Sequence, residues 1–546
     1  MREGRAAVAR AVNVADLVRI HAQDRPDDVA VVDVPQGTTL TWSLLDERVD
    51  SLANGLSAAG LVAGQRVAFA LVNGATLVTT YLAAARAGVV AVPMNPRSAT
   101  GELVRMLADS SSRLVVADAT TAPSVRSAVG GLQDALEGAD AQLRRRNPVP
   151  VLAVDGVRAL PGEHRFDDLA AATDRRVVSP GDRENLAVVL YTSGTSGRPR
   201  GAMLSHRALL SNIDQVASIE PAPTRSDDVV LGMLPLFHIY GLNAVLGQVL
   251  AQGARIVLVD RFDADQTLRD VAGHAVTNLP LAPPVVAAWA GLPAAAELLS
   301  GVRIVLSGAA PLDPDLRRLF VETSGVPVEH GYGLTETAPV VTSTLSSRAR
   351  AAGRRAEPAG VGGPVPGVEI QVRDAAGSVL LDDPGQIWVR GDNLFSGYWP
   401  DGQGGPGSDG WWATGDVGLV DRDGDLVLVD RLRELVVVNG FNVYPTEVEE
   451  VVAELPEIAQ VAVVGAPDET TGEAVVAFVV GTADEDGTTT PAELVDLVRA
   501  HCEHRLARYK LPREITVVEG LPHSATGKVA KGRLRAQARR ALLGLT

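Results

Sequence analysis

The stretch LAVVLYTSGTSGRPRG, residues 186–201, joins a continuous apolar run to a loop of glycine, serine and threonine. Four further apolar runs of strand length follow at 229–234, 254–260, 276–281 and 303–308. Helical patterns separate these runs, for example at 205–218 and 313–323. Strands that alternate with helices in this way predict a mostly parallel sheet with helices on both faces. The sequence therefore places a polar, glycine-rich loop directly after a buried strand.

The regions on either side of this alternation have other patterns. Residues 14–170 also mix helical and strand-like runs, but 120–165 has weak periodicity, and we interpret it as variable surface. From 360 to 430 the segments shorten and turn residues become frequent, which predicts an antiparallel, barrel-like piece. The sequence DRDGDLVLVDR, residues 421–431, is typical of a hairpin with an Asp-Gly turn.

The chain has 546 residues, which is too long for one hydrophobic core. We expect an α/β protein of two domains. Residues 1–430 would form a large domain of parallel α/β sheets with a small β-barrel-like subdomain. Residues 431–546 would form a small, mobile α+β domain with helices at 445–454 and 491–505.

Composition limits the partners and the compartment. The formal net charge of −16 repels nucleic acid, so a nucleic-acid partner is not expected. Cys502 is the single cysteine, which excludes an internal disulfide and gives no zinc-type spacing. The sequence has no apolar run of about 18 residues and no signal-peptide pattern at its start. A cytoplasmic protein without a transmembrane segment is the expectation.

The strongest chemical signal is YTSGTSGRPRG, Tyr191 to Gly201. Glycines let backbone N–H groups approach an anion, and the hydroxyl side chains add hydrogen-bond donors. Arg198 and Arg200 add positive charge, so the loop suits a triphosphate, although it lacks the spacing of a Walker A loop. A flexible surface loop explains the same composition equally well.

A second motif is HGYGLTET, residues 330–337. Tyr332 can offer a flat face to a base, and Glu336 is the hard oxygen ligand that Mg²⁺ uses beside phosphate oxygens. The structural alternative is a loop that enters a helix, with Thr335 as its cap and Glu336 near its N-terminus.

Three later motifs also have two interpretations each. In WWATGDVG, residues 411–418, Asp416 can accept hydrogen bonds from a ribose diol or can be a turn carboxylate. Arg431 and Arg433 mark either a domain junction or a solvated charged hinge. In LPHSATGKVAKGRLR, residues 521–535, Lys528 is either a cation that enters a cleft or a surface lysine.

Together and in this order, the five motifs resemble the core motifs of the adenylate-forming superfamily. That superfamily includes acyl-CoA synthetases, adenylation domains of peptide synthetases and luciferases. The resemblance covers residues 14–534, and NGFNVYPTEVEEVV, residues 439–452, is most similar to bacterial fatty-acyl-CoA synthetases. It implies that ATP activates a carboxylic acid as an acyl-adenylate with release of pyrophosphate, and that the acyl group then passes to CoA.

The resemblance also implies a role for each matching residue. The implied ATP-binding residues are Thr192, Ser193, Gly194, Thr195, Ser196, Gly197, Arg200, Gly308, Ala309, Ala310, Tyr332, Gly333, Thr335, Asp416, Arg431 and Lys528. Thr192 and Glu336 would place Mg²⁺. Lys528 would bridge the substrate carboxylate and the α-phosphate, with Glu336 and Thr335 as the other catalytic residues. A lysine suits this role as a compact charge on a flexible stem.

By the same resemblance, His238 in LPLFHIYGL and Gly331 would line the acyl pocket, although a histidine in an apolar segment is ordinarily a core residue. The small domain would rotate after adenylation about a hinge at Arg433. Gly440 and Phe441 would then line the tunnel for the pantetheine of CoA.

Phe237 precedes His238 where amino-acid-activating domains carry an aspartate, which disfavours an α-amino acid substrate. A medium- or long-chain fatty acid is the leading prediction. An aryl or branched carboxylic acid, a carrier-protein phosphopantetheine as acceptor, and a homodimer stay open. Arg200 and Arg433 replace common lysines of the family, and His330 stands where an amide or a glutamate is frequent.

Overall fold

The computed structural model describes all residues except Met1, 138–147, 172–175, 193–198, 309–311, 313, 354–359, 375, 384, 431–435, 444, 483–489, 523–528, 530 and 543–546. The chain divides into two compact units. The first unit comprises Met1–Pro96, Leu107–Tyr191 and Gly201–Asp430, and the second comprises Arg97–Met106, Thr192–Arg200 and Arg431–Thr546.

The largest sheet of the first unit has nine strands among the described residues. From one edge to the other they are β16 (Gly363–Pro364), β15 (Val340–Ser343), β14 (Val328–Gly333), β13 (Ile304–Ser307), β12 (Asn278–Leu281), β10 (Val229–Gly232), β11 (Arg255–Leu258), β1 (Val29–Asp33) and β2 (Thr38–Thr41). The central strands from β14 to β1 pair in parallel, and antiparallel strands flank them at both edges. The predicted parallel α/β sheet is therefore confirmed.

A second sheet has seven strands among the described residues. In spatial order they are β7 (His164–Arg165), β6 (Val151–Val154), β5 (Leu114–Ala117), β3 (Arg66–Ala70), β4 (Val90–Pro93), β8 (Leu186–Thr192) and β9 (Arg200–Ser205). The pairings from β7 to β8 are parallel. Strand β8 is the apolar run that precedes the predicted phosphate loop, and it is buried as its composition requires.

Helices alternate with these strands along the chain. Those encoded before residue 430 are α1 (Arg2–Arg10), α2 (Asp16–Asp24), α3 (Trp42–Ala58), α4 (Ala75–Arg86), α5 (Thr100–Ser110), α6 (Ala122–Glu137), α7 (Phe166–Leu169), α8 (His206–Ala217), α9 (Gln248–Gln252), α10 (Ala264–Gly273), α11 (Pro283–Ala290), α12 (Ala295–Leu298), α13 (Pro314–Ser324) and α14 (Arg348–Ala351). A π-helix spans Tyr240–Gly247, and two 3₁₀ turns span Thr335–Thr337 and Thr344–Ser346. Among the helices that the structure describes, none combines the length and apolar character of a membrane span.

The interpretation of 120–165 as variable surface was wrong in part. Helix α6 and strands β6 and β7 occupy much of this range, and Val125, Ala128 and Leu132 of α6 are buried. These positions have helical spacing, but the alanines and glycines of the segment give the pattern little hydrophobic contrast.

A third sheet of the first unit is antiparallel throughout. Its strands, in spatial order, are β18 (Val379–Leu380), β17 (Glu369–Arg373), β19 (Gly385–Arg390), β20 (Trp412–Val420) and β21 (Leu426–Asp430). Strands β20 and β21 form the expected hairpin, and Gly424 adopts a φ of +83° at its turn. This sheet presents the WWATGDVG motif on β20.

The second unit has its own sheet and core. Its strands are β23 (Phe441–Val443), β22 (Val436–Val438), β25 (Gly472–Gly481), β24 (Ile458–Asp468) and β26 (Glu514–Val517), of which β26 pairs in parallel with β25. The helices are α15 (Pro445–Val452), α16 (Pro491–Arg505) and α17 (Lys531–Leu542), with a 3₁₀ turn at Arg508–Lys510. Thr490 and Glu493 form a capping box that fixes the start of α16.

Candidate active site

Two neighbouring strands of the nine-stranded sheet carry a large part of the predicted site. Strands β13 and β14 are parallel, and Ser307 of β13 pairs with His330 of β14. Gly308 follows β13, and Tyr332 lies near the end of β14. Since parallel strands end at the same edge of a sheet, these positions meet at its carboxyl edge, where α/β proteins commonly bind their ligands.

Glycine is required sterically at this edge. A Cβ atom at position 331 would lie 2.1 Å from the carbonyl oxygen of Thr342, and one at position 333 would lie 2.1 Å from that of Pro339. Both contacts are with backbone, which cannot move aside as a flexible side chain could. The glycines on either side of Tyr332 therefore let strand β15 pack against β14, which supports the tyrosine between them.

The motifs predicted for the adenine and for the ribose meet in the structure. The hydroxyl of Tyr332 donates a hydrogen bond to Oδ2 of Asp416 over 2.7 Å, although the two residues are 84 positions apart. Asp416 follows Gly415, which adopts a φ of +80°, and its N–H donates to the Thr414 hydroxyl over 3.1 Å. A carboxylate accepts several hydrogen bonds, so Asp416 can accept from a sugar diol as well as from Tyr332.

Glu336 lies in the 3₁₀ turn that Thr335 opens, and its side chain is almost entirely buried. Its Oε1 accepts a hydrogen bond from the Tyr398 hydroxyl over 2.5 Å. Its carbonyl oxygen accepts from the N–H of Phe395 over 2.9 Å. The carboxylate is thus fixed in place, and its partner Tyr398 was not among the predicted site residues.

The residues present fit a magnesium ion that is bound together with phosphate. Among the described residues there is no group of three or more His, Cys, Asp or Glu side chains that could hold a metal. Mg²⁺ usually binds one or two carboxylates and takes its other ligands from water and phosphate oxygens. The buried carboxylate of Glu336 has the donor chemistry for that mode.

His238, which is predicted to line the acyl pocket, contacts Tyr240 at the start of the π-helix. Burial lowers the pKa of His238 to about 4, so its imidazole is neutral at neutral pH. Its Nδ1 accepts a hydrogen bond from the N–H of Tyr240 over 3.3 Å. The Tyr240 hydroxyl donates to the carbonyl oxygen of Leu306 over 2.9 Å. A Cβ atom at Gly308 would lie 2.6 Å from this ring, so the tyrosine packs directly on the glycine.

His330 occupies the position where the family frequently has an amide. Its Nε2 lies 3.0 Å from the carbonyl oxygen of Gly360, which can only accept, so Nε2 carries the proton. Burial and the nearby Arg317 lower the pKa of the ring. Nδ1 is then an acceptor, and it has no hydrogen-bond partner among the described residues. An amino group such as that of adenine would satisfy it.

Several predicted site residues lie outside the described residues. They are Ser193, Gly194, Thr195, Ser196, Gly197, Ala309, Ala310, Arg431, Arg433 and Lys528. At the borders of the predicted phosphate loop, Thr192 ends β8 and Arg200 begins β9, and the Thr192 hydroxyl donates to the Arg200 carbonyl over 3.4 Å.

The residues predicted to bind CoA lie in a hairpin of the second unit. Asn439 and Gly440, between β22 and β23, have φ values of 51° and 79°. Positive φ at both central positions defines the Asn-Gly turn that tight hairpins prefer. The ring centroid of Phe441 lies 4.6 Å from that of Tyr509, so the aromatic side chain is held beside the turn.

Two tyrosines that contact predicted site residues were not predicted from the sequence. Tyr240 stands two residues after His238, so the motif LPLFHIYGL already contained it. Tyr398 lies in SGYW, residues 396–399, where nothing nearby in the sequence indicates a partner.

The fold is an α/β architecture whose predicted nucleotide site lies at the edge of a parallel sheet. The sequence matches the AMP-binding enzyme family over residues 18–399 and the AMP-binding enzyme C-terminal domain over residues 447–528. The chain belongs to the AMP-binding enzyme family, and the predicted membership of the adenylate-forming superfamily is confirmed.

Similar proteins cover almost the whole chain. A 4-coumarate–CoA ligase-like 9 of Oryza sativa subsp. japonica is 33% identical over 97% of this chain and 93% of its own length. The long-chain-fatty-acid–CoA ligase FadD13 of Mycobacterium tuberculosis is 30% identical over 96% and 98%. Among solved structures, amide bond synthetase McbA from Marinactinospora thermotolerans has a TM-score of 0.81 and 30% identity, with 96% and 99% of the chains covered.

Proposed function

We propose that this protein is an AMP-forming acid–thiol ligase. A carboxylate attacks the α-phosphorus of ATP, the bond to pyrophosphate breaks, and an acyl-adenylate forms. The thiol of CoA then attacks the acyl carbon and displaces AMP. The observation that carries the proposal is the hydrogen bond between Tyr332 and Asp416, because it joins the motifs for the base and the ribose in one site.

The described residues supply the nucleotide half of this chemistry. Tyr332 would stack on the adenine, Asp416 would accept from the ribose, and Nδ1 of His330 would accept from the adenine amino group. Mg²⁺, when bound through Glu336 and the phosphates, would neutralise charge that builds on the phosphoryl oxygens. Lys528 is the proposed cation for the α-phosphate. A preorganised donor of this kind lowers the activation barrier by ~3–4 kcal/mol.

Two domains with different tasks are part of the proposal. Residues 1–430 would hold the nucleotide and the acid, and residues 431–546 would supply Lys528 for the first half-reaction. Gly440 and Phe441 would contact the pantetheine of CoA in the second. The aromatic contact with Tyr509 gives Phe441 a fixed side chain at this turn.

Two substrate classes fit the acyl pocket. A medium- or long-chain fatty acid is the class that the sequence predicts, and one relative is a long-chain-fatty-acid–CoA ligase. An aromatic carboxylic acid is favoured by Tyr240, whose ring packs on Gly308 while its hydroxyl is held by Leu306. A flat, rigid wall of this kind matches a planar ring, because aromatic pairs stack with defined geometry.

A pyrophosphate-release assay tests both parts of the proposal. Decanoate, hexadecanoate and 4-hydroxycinnamate are each supplied with ATP and Mg²⁺, with and without CoA. With an acid that is a substrate, the enzyme releases pyrophosphate from ATP. A thioester forms only when CoA is also present. An amine in place of CoA is the control for amide synthesis. If no acid in a wider panel gives ATP-dependent pyrophosphate release, the proposed activity is wrong.

A further inference from the structure

The segment 395–399, with the sequence FSGYW, runs beside the strand that follows the predicted phosphate loop. The N–H of Trp399 donates to the Gly201 carbonyl over 2.7 Å, and the N–H of Met203 donates to the Gly397 carbonyl over 3.0 Å. The Ser396 N–H returns a hydrogen bond to Met203 over 2.8 Å. This segment therefore pairs with β9 as a short antiparallel strand would.

The same segment holds Glu336 at two points. The N–H of Phe395 donates to the backbone carbonyl of Glu336 over 2.9 Å, and the hydroxyl of Tyr398 donates to its Oε1 over 2.5 Å. One contact fixes the backbone of the turn and the other fixes the carboxylate. Glu336 thus has little rotational freedom, and its orientation is set by residues 59 to 62 positions further along the chain.

Packing around Tyr398 places its hydroxyl independently of Glu336. The Phe395 ring meets the Tyr398 ring edge-on at 4.9 Å, and it meets Trp412 in the same way at 5.2 Å. Gly397 adopts a φ of +86°, and a Cβ atom there would lie 1.9 Å from the Gly402 carbonyl oxygen. The tyrosine therefore stands in a packed and sterically defined turn, so its hydroxyl is preorganised.

We propose that Tyr398 is a positioning residue for Glu336, which orients the carboxylate toward the divalent cation of bound ATP. The inference rests on the proposed function, in which Glu336 binds that cation. A phenol is a suitable donor because it is neutral, so the carboxylate keeps its full charge for the metal. The segment 395–399 links this carboxylate to Gly201 and Met203 of β9.

The test measures cation binding rather than turnover. Tyr398→Phe removes one oxygen atom and keeps the ring packing. In a titration with Mn²⁺ and a fluorescent ATP analogue, we expect the apparent Kd for Mn²⁺ to rise roughly tenfold or more, the loss expected for a hydrogen bond to a charged group. In pyrophosphate exchange, the apparent KM for Mg²⁺ should rise by a similar factor, while KM for ATP at saturating Mg²⁺ stays within about twofold.

Tyr81→Phe is the matched control, because it removes a phenol oxygen from a buried tyrosine of helix α4. It should leave the Mn²⁺ titration unchanged. Equal weakening in both variants would mean a general effect of losing a buried phenol, and would overturn the positioning role.

A double-mutant cycle with Glu336→Gln separates this inference from the proposed function. If Tyr398 acts through Glu336, adding Tyr398→Phe to Glu336→Gln changes Mn²⁺ binding by less than about twofold. Independent losses in the two variants would overturn the inference while the glutamate keeps its role. If Glu336→Gln itself leaves Mn²⁺ binding unchanged, the metal ligand of the proposed function is wrong, and the inference fails with it.

Discussion

Two carboxylates of the predicted site in the first unit and two buried carboxylates of the second unit are held by different donors. In the first unit, Asp416 accepts from the Tyr332 hydroxyl, and Glu336 accepts from Tyr398. In the second unit, Nζ of Lys510 lies 2.8 Å from Glu102 and 2.7 Å from Glu447. A phenol orients a carboxylate without cancelling its charge, whereas a lysine neutralises it. The comparison separates carboxylates that can still bind a ligand from carboxylates whose role is structural.

The lysine cluster of the second unit has the character of a buried ion pair. Lys510 is 5% exposed, and Glu447 is 2% exposed. Burial raises the pKa of Glu447, while the lysine opposes that change. For Lys510, burial favours the neutral amine, but Tyr509, Glu447 and Glu102 outweigh it, and its pKa is raised. The lysine is therefore charged, and removing it would leave two buried carboxylates without the cation that they share.

The largest expected effect follows from breaking that cluster. Lys510→Met should destabilise the protein by roughly 3–5 kcal/mol, because breaking a buried ion pair leaves uncompensated charge. Urea unfolding followed by fluorescence measures this loss. The matched variant combines Lys510→Met with Glu102→Gln and Glu447→Gln, and it should recover most of the stability. A loss below about 1 kcal/mol for the single variant would mean that water reaches the cluster and that the ion pair is not structural.

The second prediction concerns Lys528, which is proposed to act in catalysis rather than in a structural ion pair. Lys528→Ala should slow ATP–pyrophosphate exchange by roughly 10²–10³-fold, the effect of one preorganised donor. Thioester formation from supplied acyl-adenylate should be largely spared, and the urea midpoint should stay near that of the parent protein. Exchange at a normal rate would refute the assignment of the catalytic cation. A large loss of stability would place Lys528 in the same class as Lys510.

The sequence predicted those parts of the molecule that depend on local pattern. The strand expected at 276–281 is present as Asn278–Leu281, and the helix expected at 491–505 has those bounds. Sequence pattern was sufficient there, because the signal comes from neighbouring residues. Helix α6 was missed because alanine and glycine weaken the same signal.

Contacts between distant residues set the remainder of the site, and no local pattern contains them. Glu336 could be proposed as a ligand from its motif, but Tyr398 lies 62 residues away and meets it only in the folded chain. The orientation of Tyr240 likewise depends on its hydrogen bond to Leu306, which lies 66 residues away in the sequence. The sequence thus indicated candidate residues for binding the nucleotide, but the residues that contact and orient them could be found only in the structure.

His238 extends the comparison to a titratable group of the first unit whose pKa shift arises from burial alone. Its folded-state pKa of about 4 lies below the ordinary value of about 6.5, so between these values the unfolded chain binds more protons. Stability should therefore fall as pH drops from about 6.5 toward 4. At pH 5 we expect the neutral, buried imidazole to lower the free energy of unfolding by about 1–2 kcal/mol relative to neutral pH. In His238→Gln, the free energy of unfolding measured with urea should lose this part of its pH dependence. An unchanged pH dependence would contradict the lowered pKa of His238.

The smallest effect is expected where a neutral donor is removed from a carboxylate that keeps its charge. Tyr332→Phe preserves the ring that would stack on adenine but removes the 2.7 Å hydrogen bond to Asp416. Since such a hydrogen bond contributes about 1–2 kcal/mol, KM for ATP should rise roughly five- to thirtyfold. The free energy of unfolding should change little, because Asp416 keeps its charge and the surrounding fold is unchanged. Asp416→Asn is the companion variant. It removes the negative charge and replaces one acceptor oxygen by a donor, so it should raise KM for ATP further. If Tyr332→Phe instead lowered stability as much as Lys510→Met, the carboxylates of the two units would share one structural role.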